Sequence, residues 1–190
     1  MAIVPAAAGD ARRVAELIAT AFAPLAATAY LVPEPERRVP VLAADFLILV
    51  EHALEHGVVD VDTGGHGAAV WFPMTGPLPA PRDYDVRLAE ATGDCVERFR
   101  VLDELFEKNH PGEPHHHLAF LAVHPSRQNL GLGTALLDHH HARLGGMPAY
   151  LEASSTRSRD LYARHGYQLR EPFALPDGTL FWPMWRPPRL

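Results

Sequence analysis

The chain has 190 residues, 47% of them hydrophobic, and a formal net charge of -6 at neutral pH. This composition fits one domain over residues 1–190 with a substantial core and excludes a disordered chain, and the acidic balance gives no reason to propose a nucleic-acid surface. Cys95 is the only cysteine, so an intramolecular disulfide is excluded and a reducing, cytoplasmic setting is expected.

The first ten residues lack a basic region and a long apolar run, so no signal peptide is expected, and no aliphatic stretch approaches the roughly 20 residues that span a bilayer. Ile3-Val4 reads as a short strand. Asp10 stands where a helix N-cap belongs, ahead of Val14, Leu17, Ile18, Ala21 and Phe22 at helical spacing, and Pro24 ends that helix. Residues 33–40, rich in proline and charge, read as a linker. A second helix is predicted over Val41–His56, with Phe46, Leu49, Val50 and Leu54 on one face and Gly57 as its stop. Val58–Val61 and Gly67–Phe72 predict a hairpin around the glycines of 62–66. Pro73–Pro81 reads as a loop. A long helix is predicted over Asp83–Asn109, with Leu88, Val96, Phe99, Leu102, Leu105 and Phe106 inward. Strand 117–123, helix 131–144, strand 149–153 and helix 157–165 follow. The tail predicts an antiparallel hairpin of Phe173–Leu175 and Thr179–Trp182 around Pro176-Asp177-Gly178. The sum is α/β, a mixed sheet with helices on both faces.

The most informative segment is Gln128-Asn129-Leu130-Gly131-Leu132-Gly133-Thr134, a Q-x-x-G-x-G pattern between a strand and a helix. Glycines there let backbone N–H groups converge on one point, and the positive end of the helix dipole favours an anion such as a pyrophosphate. Downstream, Leu161-Tyr162 with Gly166-Tyr167 closes a short helix. The two motifs, in this order, resemble the GNAT superfamily of N-acetyltransferases. Gly67–Trp71, Glu113-Pro114 and Pro148–Glu152 are similar to its puromycin N-acetyltransferase-like branch. The resemblance runs from about Val58 to Pro187.

That resemblance implies a single N-acetyltransferase domain with a mixed, mostly antiparallel sheet. Two parallel central strands, ending at Val123 and Ala153, splay apart to admit acetyl-coenzyme A. It implies cofactor contacts from Leu121, Ala122 and Val123, pairing like an added strand, and from the amides of Asn129 to Thr134 after Gln128. Arg127 is a further candidate for a phosphate. Ser155 stands where many relatives have asparagine, and a serine can still hydrogen-bond the cofactor. Tyr162 becomes the candidate general acid, because a phenol with a pKa of about 10 stays protonated and can serve a departing thiolate. Glu152, at the end of the second central strand, is a candidate base, with His116 and His117 as rivals.

Twelve histidines invite a metal reading. Consecutive residues in His115–His117 and His139–His141 point in different directions, so each triplet is a poor chelate and no metal site is expected. Trp71, Phe72 and Trp182 are candidates to line an acceptor pocket, whose identity should be set by the N-terminal helices and the loop 73–81. The expected activity is acetyl transfer from acetyl-coenzyme A to a primary amine, of a small molecule or a protein, by direct attack, because Cys95 lies outside the motifs. A silent acyl-coenzyme A sensor or partner-binding module is the alternative. A homodimer is left open; neither a nucleic acid nor a membrane is expected as partner.

Overall fold

The computed structural model describes residues 2–188; Met1, Arg189 and Leu190 of the expected 1–190 domain lie outside the described residues. The chain begins with β1 (Ile3–Pro5), α1 (Ala11–Phe22), α2 (Ala26–Leu31) and α3 (Pro35–His56). The hairpin β2 (Val58–Asp62) and β3 (Gly67–Met74) follows, then α4 (Tyr84–Thr92) and α5 (Val96–Asn109). The C-terminal half holds β4 (His115–Val123), α6 (Leu132–His141), β5 (Ala149–Ala153), α7 (Thr156–Arg164), β6 (Gln168–Leu169), β7 (Phe173–Ala174) and β8 (Leu180–Arg186). Among the described residues no helix is long and apolar enough to cross a membrane.

The strands form one open sheet in the order β1-β2-β3-β4-β5-β8-β6, with β7 also pairing β8. Every pairing is antiparallel except β4 with β5. That parallel contact is short: His116, His117 and Leu118 face Ala149, Tyr150 and Leu151, and the strands then part. One face carries a core that joins Val14 and Ile18 of α1, Leu42 and Phe46 of α3, and Phe99 of α5 to Val70, Phe120 and Ala122. The other carries Leu136 and Leu137 of α6 and Tyr162 of α7 against Trp71, Leu118 and Leu151. Helices therefore cover both faces, as the alternating pattern predicts.

Three local readings are corrected. Residues 33–40 are not a linker, because α3 begins at Pro35. Proline suits the first helical position, where the N–H has no intrahelical partner, and Pro40 forfeits one bond within a long helix. Arg38 holds this entry by donating to the carbonyls of Val32 and Pro33. The helix predicted over 83–109 is two helices, broken where Gly93 adopts φ +57° and a single 3-10 turn follows. Arg37 of α3 grips the break through Asp94 at 2.6 Å. Gly57 does stop α3, but not by a left-handed cap: its φ is -140°, and a Cβ there would run into the Trp71 carbonyl oxygen.

Candidate active site

The site grows from an irregularity in β4. Its register against β3 shifts between Val70 and Trp71, leaving Ala119 as an extra residue. A bulge of this kind reverses the inside-outside phase of a strand. Leu118, Leu121 and Val123 accordingly join the α6–α7 face, while Phe120 and Ala122 join the opposite one. The edge of β4 beyond Leu118 has no partner in β5, so backbone and side chains of both faces border one opening.

Beyond β4 the chain turns sharply. Asn129 and Gly131 both take left-handed conformations, φ +64° and +82°. Gly131 is the N-cap of α6. The amide N–H groups from Asn129 to Thr134 find no acceptor among the described residues, so six consecutive donors cluster at a helix start. The loop is braced from outside: Gln128 donates to the Val123 carbonyl at 3.1 Å, and Arg157 of α7 donates to Gln128 at 3.1 Å and Asn129 at 2.7 Å. A Cβ on Gly133 would touch Leu161, Val123 and Leu121 at 3.7, 3.8 and 3.9 Å, within the opening itself.

Where the strands part, His117 Nε2 and Glu152 Oε2 lie 2.9 Å apart. The second carboxylate oxygen, Oε1, is buried with no hydrogen bond, as is His110 Nε2. His110 packs edge-on to His117, ring centroids 5.0 Å apart, and burial, with His117 adding, lowers its pKa to about 4. One ligand atom each from His110, His117 and Glu152 lie within 4.8 Å of one another, a set that could hold a metal ion. Of the triplet only His117 belongs to this set; His110, just after α5, and Glu152 of β5 supply the rest, which the triplet itself does not reveal. His116 points the other way, to His140 of α6 at 3.1 Å, and is removed from the site as a base.

Tyr162 approaches from the opposite face of the sheet. It is 7% exposed, and burial alone raises its pKa far above the ordinary phenol value. Ser155 caps α7: its hydroxyl accepts from the Ser158 N–H and lies 2.9 Å from the Ser158 hydroxyl. A single cavity of about 650 Å³ unites these groups, bordered by Leu121, Val123, Glu152, Ser155 and Tyr162 with Gln128, Asn129 and the loop glycines.

Residues 84–169 match the family model described as acetyltransferase (GNAT) domain. The structure of histone acetyltransferase HPA2 and related acetyltransferase from Corynebacterium glutamicum is 32% identical, with 99% of this chain and 96% of that chain covered and a TM-score of 0.73. The chain belongs to the GNAT acetyltransferase family. It is an acetyl-coenzyme A-dependent N-acetyltransferase, and the open sheet with its parallel β4–β5 step is the GNAT fold. The same architecture recurs in a Drosophila melanogaster polyamine N-acetyltransferase, at 21% identity, TM-score 0.64 and coverage of 97% and 99%. A mosquito arylalkylamine N-acetyltransferase-like protein also shares it, at 19% identity, TM-score 0.59 and the same coverage of 97% and 99%.

Within this GNAT fold several expected residues fall outside the cavity lining. Ala122 turns into the helix-covered core, 1% exposed, because the bulge sets its phase. Leu130 projects outward, 66% exposed; Leu132, by contrast, borders the cavity while lending its side chain to the core beneath β3. Trp71 stacks on His140 in the core at 4.0 Å, Phe72 packs with α3, and Trp182 lies under Arg159. None of these aromatics lines the cavity, nor does the loop 73–81. Its other end is walled by residues of α1 to α5 and of β4, including Phe22, Phe46, Phe120, Asp45, Asp103 and Tyr84. Asp45 is the residue the sequence could have flagged: an acid one turn from Leu42 and Leu49 within an otherwise apolar stripe. Arg157 and His110 carried no such signal.

Proposed function

We propose that this GNAT enzyme acetylates a primary amine by direct attack, with Glu152 and His117 as the base and Tyr162 as the acid. One observation carries the reading. The parting of β4 from β5 brings Glu152 and Tyr162, from opposite faces of the sheet, onto a single cavity that also meets the unpaired amides of the Gly131–Gly133 loop. Those amides, with Arg157 and Arg127 beside them, suit the pyrophosphate of acetyl-coenzyme A. The unpaired edge of β4 at Leu121 and Val123 suits its pantetheine arm.

The chemistry divides between the two faces. Glu152, hydrogen-bonded to His117, takes a proton from the incoming ammonium. The neutral nitrogen then forms its bond to the thioester carbonyl carbon, the carbon–sulfur bond breaks, and sulfur leaves with the electron pair. Tyr162 supplies the proton that the sulfur needs; the bonded nitrogen sheds its second proton as it becomes the amide, which restores the phenol, and the proton held by Glu152 passes to solvent. The buried Tyr162 phenol stays protonated at neutral pH, because burial disfavours the phenolate, and so keeps a proton to donate. Cys95 is buried in the break between α4 and α5 and does not line the cavity. The similarity at Gly67–Trp71 and Pro148–Glu152 supports a place near the puromycin N-acetyltransferase-like branch. Thiol release from acetyl-coenzyme A across a panel of amines tests the activity. Cys95→Ala should keep the parent turnover, and its loss with coenzyme A affinity intact would replace direct attack by an acyl-enzyme route.

A further inference from the structure

The acceptor end of the cavity carries a charge arrangement that acetyl transfer to a simple amine does not require. Asp45 of α3 is 7% exposed, and among the described residues no hydrogen bond or ion pair reaches its carboxylate. It borders the cavity with Asp103 of α5, whose carboxylate accepts a 2.7 Å hydrogen bond from the Tyr84 hydroxyl. Among the described lining residues the arginines, Arg127, Arg157 and Arg164, all belong to the loop after β4 or to α7. The cavity is thus cationic where the phosphates are proposed and acidic at its far end. The same cavity is lined by the apolar side chains of Phe22, Phe46, Phe120, Leu102 and Phe181. An unpaired carboxylate in such a place is costly unless it is protonated or meets a cation that the ligand brings.

We propose that Asp45, with Asp103 and Tyr84, forms a subsite for the second positive charge of a dicationic amine whose reacting nitrogen meets Glu152. This rests on the reading of Glu152 as the amine end of the cavity. The chemical class is a primary amine joined by an apolar chain to a second ammonium or guanidinium. The apolar walls cover the chain, the aromatic faces favour cations passing over them, and the acids hold the far charge. Without that charge Asp45 is kept neutral: burial, with Asp103 adding, raises its pKa to about 8. Asp103 and Tyr84 are the titratable groups that bear on it. A dication arriving near neutral pH therefore ionises Asp45 and releases a proton to solvent, whereas a monoamine does not.

The test compares diaminobutane with n-butylamine and phenethylamine as acceptors. The parent enzyme should favour diaminobutane in kcat/KM by roughly 30-fold or more, the scale for pairing a buried charge. Asp45→Asn should collapse that ratio while coenzyme A affinity stays intact, and Asp103→Asn serves the same purpose should the first variant not fold. Calorimetry of diaminobutane in two buffers of different ionisation enthalpy should show proton release that n-butylamine lacks. Equal kcat/KM for the two alkylamines, a preference for phenethylamine, or a ratio that survives Asp45→Asn would overturn the subsite. Failure of every amine to turn over, with diaminobutane still bound and a proton still released, would instead remove the acetyl-transfer chemistry and leave the subsite standing.

Discussion

His117 and Glu152 meet at 2.9 Å from strands that pair for only three residues. His117 sits within that short parallel contact, opposite Tyr150, and Glu152 lies one residue beyond its end. The carboxylate is therefore anchored on one side by the imidazole, while its buried Oε1 has no hydrogen bond. A base needs this combination: a fixed orientation and a free lone pair.

Glu152→Gln keeps the shape and removes the basic oxygen. Turnover should fall most at low pH, where the amine arrives protonated and depends on the enzyme to lose its proton. His117→Ala should show a weaker form of the same profile, because it positions Glu152. Treatment with a chelator should leave the parent rate unchanged. If chelation abolishes activity and zinc restores it, His110, His117 and Glu152 are metal ligands and the base assignment falls.

Tyr162→Phe deletes one hydroxyl and retains the ring that packs against Tyr167 at 5.8 Å. Loss of a general acid should lower kcat by roughly 10²–10⁴. KM for the amine should move much less, since the proton is needed only as the carbon–sulfur bond breaks. The melting temperature should hardly change because no large cavity forms. A variant that turns over at the parent rate would reduce Tyr162 to a packing residue.

The two loop glycines should fail for different reasons. Gly133→Val places its branches against Leu161, Val123 and Leu121, so the fold survives and coenzyme A affinity drops sharply. Gly131→Val has open space around its Cβ but must hold φ +82°, a conformation that costs a β-branched residue on the order of 1–2 kcal/mol. It should therefore lower thermal stability as well as affinity. Calorimetric titration with coenzyme A, beside a melting curve, separates the two; parent affinity in a folded Gly133→Val variant would move the phosphates elsewhere.

Asp45 makes stability depend on pH in a stated direction. Its folded pKa of about 8 lies above the ordinary value of 3.8, so the folded state binds the extra proton between them. The contribution is fully present below 3.8 and is lost as pH rises through about 8. Denaturant melts should show Asp45→Asn gaining on the parent as pH increases across that window. A constant difference between the two proteins would mean that Asp45 is ionised throughout.

Much of this was legible in the sequence. Helical spacing in Val14–Phe22, the strand before Gln128, the glycine pattern of the loop and the short helix bearing Tyr162 all depend on neighbours within a few residues, and backbone preferences act at that range. The splayed strands and the acid-base candidates followed from family resemblance, and the fold agrees with it. Other features needed contacts between distant segments. A continuous helix would hold Tyr84 and Asp103 roughly 28 Å apart at 1.5 Å per residue. The turn at Gly93 folds α4 back so that the two side chains share a hydrogen bond of 2.7 Å. Likewise the bulge at Ala119 settles that Ala122 leaves the cleft. Local sequence determined which segments are helix, strand and loop; the packing of α1, α3 and α5 on the sheet decided which acids face the cavity, because burial and opposing charge are properties of the assembled neighbours and of no single stretch of chain.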